Sequence, residues 1–167
     1  MTLEIYLIVM LLMLASIYFV APIAVTNFRR YRGTRIVTCP ENRKTCAVEV
    51  DAAHAAFTSL FSHPELRMKS CSRWPERDDC GQECLLQVQL SPKDCSLKDI
   101  LARWYEERYC VSCGKQILPF RWTGQEYALL SPKGRTIRLS ELPAEQVPDA
   151  LATHSPICWA CHVGKRQ

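Results

Sequence analysis

The chain has 167 residues, 48% of them hydrophobic and 23% charged, with a formal net charge of +4. This balance excludes a disordered tail, and the length allows one modest domain or two very small ones. The charge excess is local. Arg29, Arg30, Arg32 and Arg35 supply it, and beyond Arg35 there remain 17 basic against 16 acidic residues. That leaves no concentrated basic face for a nucleic acid, and none is expected as a partner.

Residues 5–28 carry no charge and are mostly Leu, Ile, Val, Met, Ala and aromatic. A helix over residues 3–25, at about 1.5 Å per residue, covers the roughly 30 Å hydrocarbon layer of a bilayer. Pro22 sits near its end. Tyr18, Phe19, Phe28 and Tyr31 suit the interfacial aromatic zone. A cleaved signal peptide fits less well: Met1-Thr2-Leu3-Glu4 has no basic start, and Val20-Ala21-Pro22-Ile23-Ala24 is a poor cleavage site. The reading is a retained anchor over residues 1–28 and a basic juxtamembrane segment over 29–35. Arg29, Arg30, Arg32 and Arg35 are expected at the membrane surface against anionic headgroups. Because Lys and Arg next to a span stay on the cytoplasmic side, the carboxyl-terminal domain is expected inside.

Residues 36–109 read as a cysteine-rich α+β region. Residues 35–40 and 46–50 are β-prone, and the polar stretch 41–45 joins them as a hairpin that brings Cys39 near Cys46. Asp51 caps a helix that ends before Pro64. Residues 66–70 return as a strand, and 72–79 form a charged loop. Cys80-Gly-Gln-Glu-Cys84 looks like the opening of a helix, which would put both sulfurs on one face. Ser96, with Asp99 three residues later, caps a second helix whose core-facing stripe is Leu97, Ile100, Leu101, Trp104 and Tyr105. Residues 117–139 read as strands separated by turns at Gly124 and at Pro132-Lys133-Gly134. A short helix follows over 144–152.

Ten cysteines mark the chain: Cys39, Cys46, Cys71, Cys80, Cys84, Cys95, Cys110, Cys113, Cys158 and Cys161. The sharpest pattern is Cys110-x-x-Cys113-Gly114 with Cys158-x-x-Cys161. Each turn aims two sulfurs at one point about 2.3 Å away, and two such turns close a tetrahedral S4 site, as zinc prefers. The same arrangement also suits a single iron. Residues 110–162 resemble a zinc ribbon or a related zinc-knuckle domain, although 44 residues separate the knuckles, against about 15–20 in a simple ribbon. The competing pattern is Cys158-Trp-Ala-Cys161-His162, the attachment signature of a c-type haem, with His162 as axial ligand. That chemistry belongs outside the cytoplasm and leaves Cys110 and Cys113 without a role. A thiol-redox pair lacks its βαβ context.

The earlier cysteines follow no named spacing. Cys39, Cys71, Cys80 and Cys84 are the preferred ligands of a possible second metal site, with an iron–sulfur cluster or plain buried thiols as alternatives. The segments Cys39-Pro-Glu41, Cys71-Ser-Arg-Trp-Pro-Glu-Arg77, Cys80-Gly-Gln-Glu-Cys-Leu85 and Thr153-His-Ser-Pro-Ile-Cys-Trp-Ala-Cys-His162 resemble those of bacterial membrane-anchored, cysteine-rich proteins of unassigned role. The resemblance implies bacterial origin and the anchored topology, and no reaction.

No phosphate loop, nucleophile elbow or His-Glu-x-x-His helix is present. Glu106-Glu107, Asp78-Asp79 and His54 read as solvated or structural, and a closed S4 site offers no open position for water. The expectation is therefore an α+β, non-enzymatic, zinc-stabilised protein on one transmembrane helix. It would serve as a structural or adaptor subunit at the bacterial inner membrane, facing another membrane or cytoplasmic protein. The alternative is a tethered electron carrier, holding haem c or an iron–sulfur cluster.

Overall fold

The computed structural model describes residues 2–74, 76, 80–117 and 127–164. The chain is a mixture of helices and small sheets behind one long apolar helix. That helix runs over Leu3–Tyr31 and is long and apolar enough to cross a membrane, with none of its apolar window buried against the rest of the protein. It comprises α1 (Thr2–Ala15), a π-helical stretch (Ser16–Val20) and α2 (Ala21–Tyr31). The π-helical stretch has a local cause. Pro22 has no N–H, and its ring would clash with the carbonyl four residues back. The helix absorbs this by widening, so that the Ala21 N–H reaches Ser16 O.

Gly33, at φ +90°, turns the chain from α2 into the first sheet. A side chain would be strained there. β1 (Thr34–Thr38), β2 (Thr45–Val50) and β3 (Met68–Cys71) form an antiparallel sheet in the order β1-β2-β3. The hairpin register sets Val37 opposite Cys46 and Thr34 opposite Glu49. The alternation of Val37, Cys46, Val48 and Val50 puts these side chains on one buried face. α3 (Ala52–Thr58) starts at Asp51, whose side chain accepts from His54 N–H at 3.0 Å, and it packs against α2. α4 (Leu85–Leu90) and α5 (Leu97–Tyr105) follow. Ser96 caps α5 as its sequence requires.

The second core lies around α5 and a three-stranded antiparallel sheet in the order β5-β4-β6. Its strands are β4 (Ala128–Leu130), β5 (Thr136–Arg138) and β6 (Ser155–Ile157). Tyr105 is fully buried, stacks on Tyr127 with centroids 4.1 Å apart, and donates to Ala128 O at 2.9 Å. That bond satisfies the hydroxyl that burial would otherwise penalise. The helix expected over 144–152 forms as a 3-10 turn (Ala144–Gln146) continued by α6 (Val147–Thr153). The last helix is α7 (Trp159–Gly164). The first part of the strand reading, residues 118–126 with the Gly124 turn, lies outside the described residues.

Two expectations need correction here. Arg35 does not face the membrane surface: it is 3% exposed. Its guanidinium donates to the carbonyls of Pro92, Arg30 and Arg32. The last carbonyls of a helix have no partner within it, and a buried cation fork satisfies them well. Tyr31 likewise leaves the interfacial zone and joins the first core at 2% exposure. Arg29, Arg30 and Arg32 are exposed.

Candidate metal centre

The first knuckle is held by its own backbone. Cys110 N–H donates to Lys115 O and Gly114 N–H to Cys110 O, each at 2.8 Å. Gly114 takes φ +68°, the left-handed conformation that tightens the turn behind Cys113. Tyr109 and Gln116 bridge across the base. The second knuckle leaves β6, with Cys158 immediately before α7, and His162 N–H closes onto Cys158 O at 3.0 Å.

One main-chain bond joins the two knuckles. Val111 N–H donates to Pro156 O at 3.1 Å, two residues before Cys158. The result is that Cys110, Cys113, Cys158 and Cys161 bring their sulfurs within 4.8 Å of one another. Cys113 Sγ and Cys158 Sγ lie 3.7 Å apart. A tetrahedron with about 2.3 Å metal–sulfur bonds has edges of about 3.8 Å, so the Cys113–Cys158 pair stands at coordination spacing and the other sulfur–sulfur separations exceed that spacing by no more than about 1 Å. Among the described residues, no other group of three or more His, Cys, Asp or Glu is so tight.

The electrostatics suit a cation. Burial opposes charge on Cys110, but the backbone N–H groups of Cys158, Cys113 and Ser112 outweigh it and bring the thiol down to about 6. Cys161 moves the other way, to about 12, because the sulfurs of Cys158 and Cys113 already crowd it. Cys158 is also raised, first by burial. Cys110 forms a thiolate readily while Cys158 and Cys161 resist, a conflict that a bound metal ion relieves.

His162 is not presented as a free axial ligand. It is 1% exposed, and its ring lies tilted against Trp159 with centroids 5.0 Å apart. His154 bonds Thr153 Oγ1 through Nδ1 at 2.8 Å, away from the cluster's chemistry.

The second expected group is gathered more loosely. Cys39 and Cys71 stand at the edge of the first core. Cys39, Cys80 and Cys84 line one open cavity of about 340 Å³ with Pro40, Gly81 and Gln82. Cys80 and Cys84 do not share a helix face, because α4 begins only at Leu85 and Gln82 takes φ +54°. Burial and the neighbouring sulfurs of Cys71, Cys80 and Cys39 push Cys84 up to about 11. Cys46, outside the expected set, belongs to the same neighbourhood and is raised by burial and by Cys71 and Cys39. Its hairpin pairing with Val37 is the sequence signal for this. Arg73, which spacing did not single out, donates through Nη1 to Cys39 Sγ at 2.8 Å and to Glu41 at 3.0 Å. Burial works against charge on Cys39, but the backbone N–H groups of Glu41 and Asn42 and the Arg73 cation lower its thiol. Cys95 is a buried core thiol resting 3.5 Å from Gln87 O.

Comparisons with protein-family models, curated proteins and solved structures return no match.

Proposed function

We propose that this chain is a membrane-anchored zinc protein in which one ion, held by Cys110, Cys113, Cys158 and Cys161, ties the two ends of the second core together. The 3.7 Å separation of the Cys113 and Cys158 sulfurs carries the reading. Four protein ligands fill a tetrahedral shell and leave no position for substrate, so the ion's contribution is folding free energy in a domain with a small apolar core. The protein then acts as a structural or adaptor subunit that holds a folded platform at a bilayer. Arg29, Arg30 and Arg32, exposed at the end of the apolar helix, favour a cytoplasmic carboxyl-terminal domain at a bacterial inner membrane.

Covalent haem fits these residues less well. Porphyrin on Cys158 and Cys161 would have to displace two further sulfurs within 4.8 Å, and His162 is packed on Trp159 rather than turned toward open space.

The deciding experiment is metal analysis with a visible spectrum of the full-length protein in detergent. About one zinc per chain and no visible band is the expected result. Covalently retained haem, a brown acid-labile chromophore, or a chain that takes up no metal would each overturn the reading.

A further inference from the structure

α3 returns along the helix that carries the membrane reading. β2 ends at Val50, and Glu49 pairs with Thr34, the first residue of β1, just past the end of α2. The chain therefore enters α3 beside Tyr31. From there α3 packs on α2 through the small residues Ala52, Ala55 and Ala56, all buried. On the facing side of α2, Tyr31 is buried while Asn27 and Ala24 are half-buried, a spacing that marks one helical stripe. Small side chains let two helices approach closely along their length. Seven residues of α3 cover about 10 Å, the same distance as from Tyr31 back to Ala24. The far end of α3 thus reaches the level of Ala24, past Arg29 and Arg30 and at the end of the apolar stretch.

At that end the side chains are of an unexpected kind. Phe57 is 62% exposed and Phe61 78% exposed, and their rings meet edge to face at 5.4 Å. A helical turn continues past α3, with Phe61 N–H and Ser62 N–H both bonded to Thr58 O. The two rings therefore project from a rigid tip. A pair of exposed aromatic rings in water is unfavourable, but at the headgroup level of a bilayer aromatic side chains are stabilised.

We infer that the Phe57–Phe61 tip is a second membrane contact, with both rings seated in the lipid interface beside the point where α2 leaves the bilayer. This rests on the reading of the Leu3–Tyr31 helix as a membrane span. The occupant is lipid because the tip is continuous with that helix. The rings need no particular headgroup, although Arg29 and Arg30 favour an anionic one.

The test uses the full chain in vesicles of phosphatidylcholine and phosphatidylglycerol, with p-benzoylphenylalanine placed in turn at Ile17, Phe61 and Asn42. Ile17 reports on the span itself. Asn42 lies in the β1–β2 turn, at the opposite end of the hairpin from α2. After irradiation, lipid adducts are read by mass spectrometry. Adducts at Ile17 and Phe61 but none at Asn42 are expected. An adduct at Ile17 without one at Phe61 overturns this inference and leaves the span intact. No adduct at Ile17 overturns the span and this inference together. Equal labelling at Asn42 shows indiscriminate lipid contact and also overturns it.

Discussion

Cys113 Sγ stands 3.7 Å from Cys158 Sγ across a separation of 45 residues. Two turns that meet this closely, each carrying a second sulfur, are expected to lose their shared ion when one sulfur goes. Cys113→Ser in the full-length protein should lower bound zinc by about one equivalent and destabilise the second core, since structural zinc contributes folding free energy directly. Elemental analysis and thermal unfolding check both effects. Unchanged zinc content and an unchanged melt would remove the four-sulfur site from the account.

Acid should release the metal, with a sign set by the thiols. In the apo protein Cys110 is a thiolate above about 6, whereas Cys161 keeps its proton until about 12. Loading at pH 7 must therefore expel protons from Cys158 and Cys161. Below about 6 Cys110 has to be deprotonated as well, so affinity should fall more steeply there. Calorimetry in two buffers of different ionisation enthalpy measures the proton release. A chelator competition across pH 5 to 8 measures the slope, and a flat profile would contradict the assignment.

Gly114→Ala isolates the conformational part of the knuckle. A Cβ at this position meets nothing within 4 Å, so only the φ of +68° opposes it. The expected cost is about 1 kcal/mol of stability in the second core, with metal content unchanged. Differential scanning calorimetry of the loaded protein reads it. Loss of the metal itself would mean the turn tolerates less than its geometry implies.

The number of bound ions decides the role of the looser cysteine group. With only the four-sulfur site occupied, Cys84→Ser should leave about one zinc per chain. A second equivalent in the wild type that disappears in Cys84→Ser would assign the cavity beside Cys39 and Cys80 as a second site.

Arg35→Met should destabilise the first core by about 1 to 3 kcal/mol, because the Pro92 carbonyl loses its donor while staying buried and the part-buried Arg30 carbonyl loses its donor as well. Arg35→Lys should rescue little, since one ammonium cannot reproduce a planar fork directed at several carbonyls. Denaturant unfolding of the wild type and both variants ranks them, and equal midpoints for the wild type and Arg35→Met would refute the role.

Local rules carried much of this fold. The β-prone stretch 46–50, the Asp51 and Ser96 caps and the stripe through Tyr105 each depend on neighbours in sequence, and each forms as read. The four-cysteine cluster was legible because a Cys-x-x-Cys turn is a local device, although the Val111–Pro156 bond that brings the two turns together is not. What escaped depends on distant partners. Arg35 looks like any juxtamembrane cation until Pro92 arrives beside it, and Tyr31 like any interfacial aromatic until α3 covers it. Cys80 and Cys84 have helical spacing, but the chain departs from helix at Gln82. The hairpin already placed Cys46 near Cys39, but the approach of Arg73 to Cys39 required the loop after β3 to be in place.

The Arg35 fork has a mechanical corollary. A tether that ends in a flexible linker lets its cargo swing through a wide cone, but here the guanidinium clasps the end of α2 and the Pro92 loop at once. On the membrane reading proposed above, tilt of the helix would be transmitted to the first sheet through this clasp. On that same reading, a docking partner would meet the first sheet at one height and one bearing.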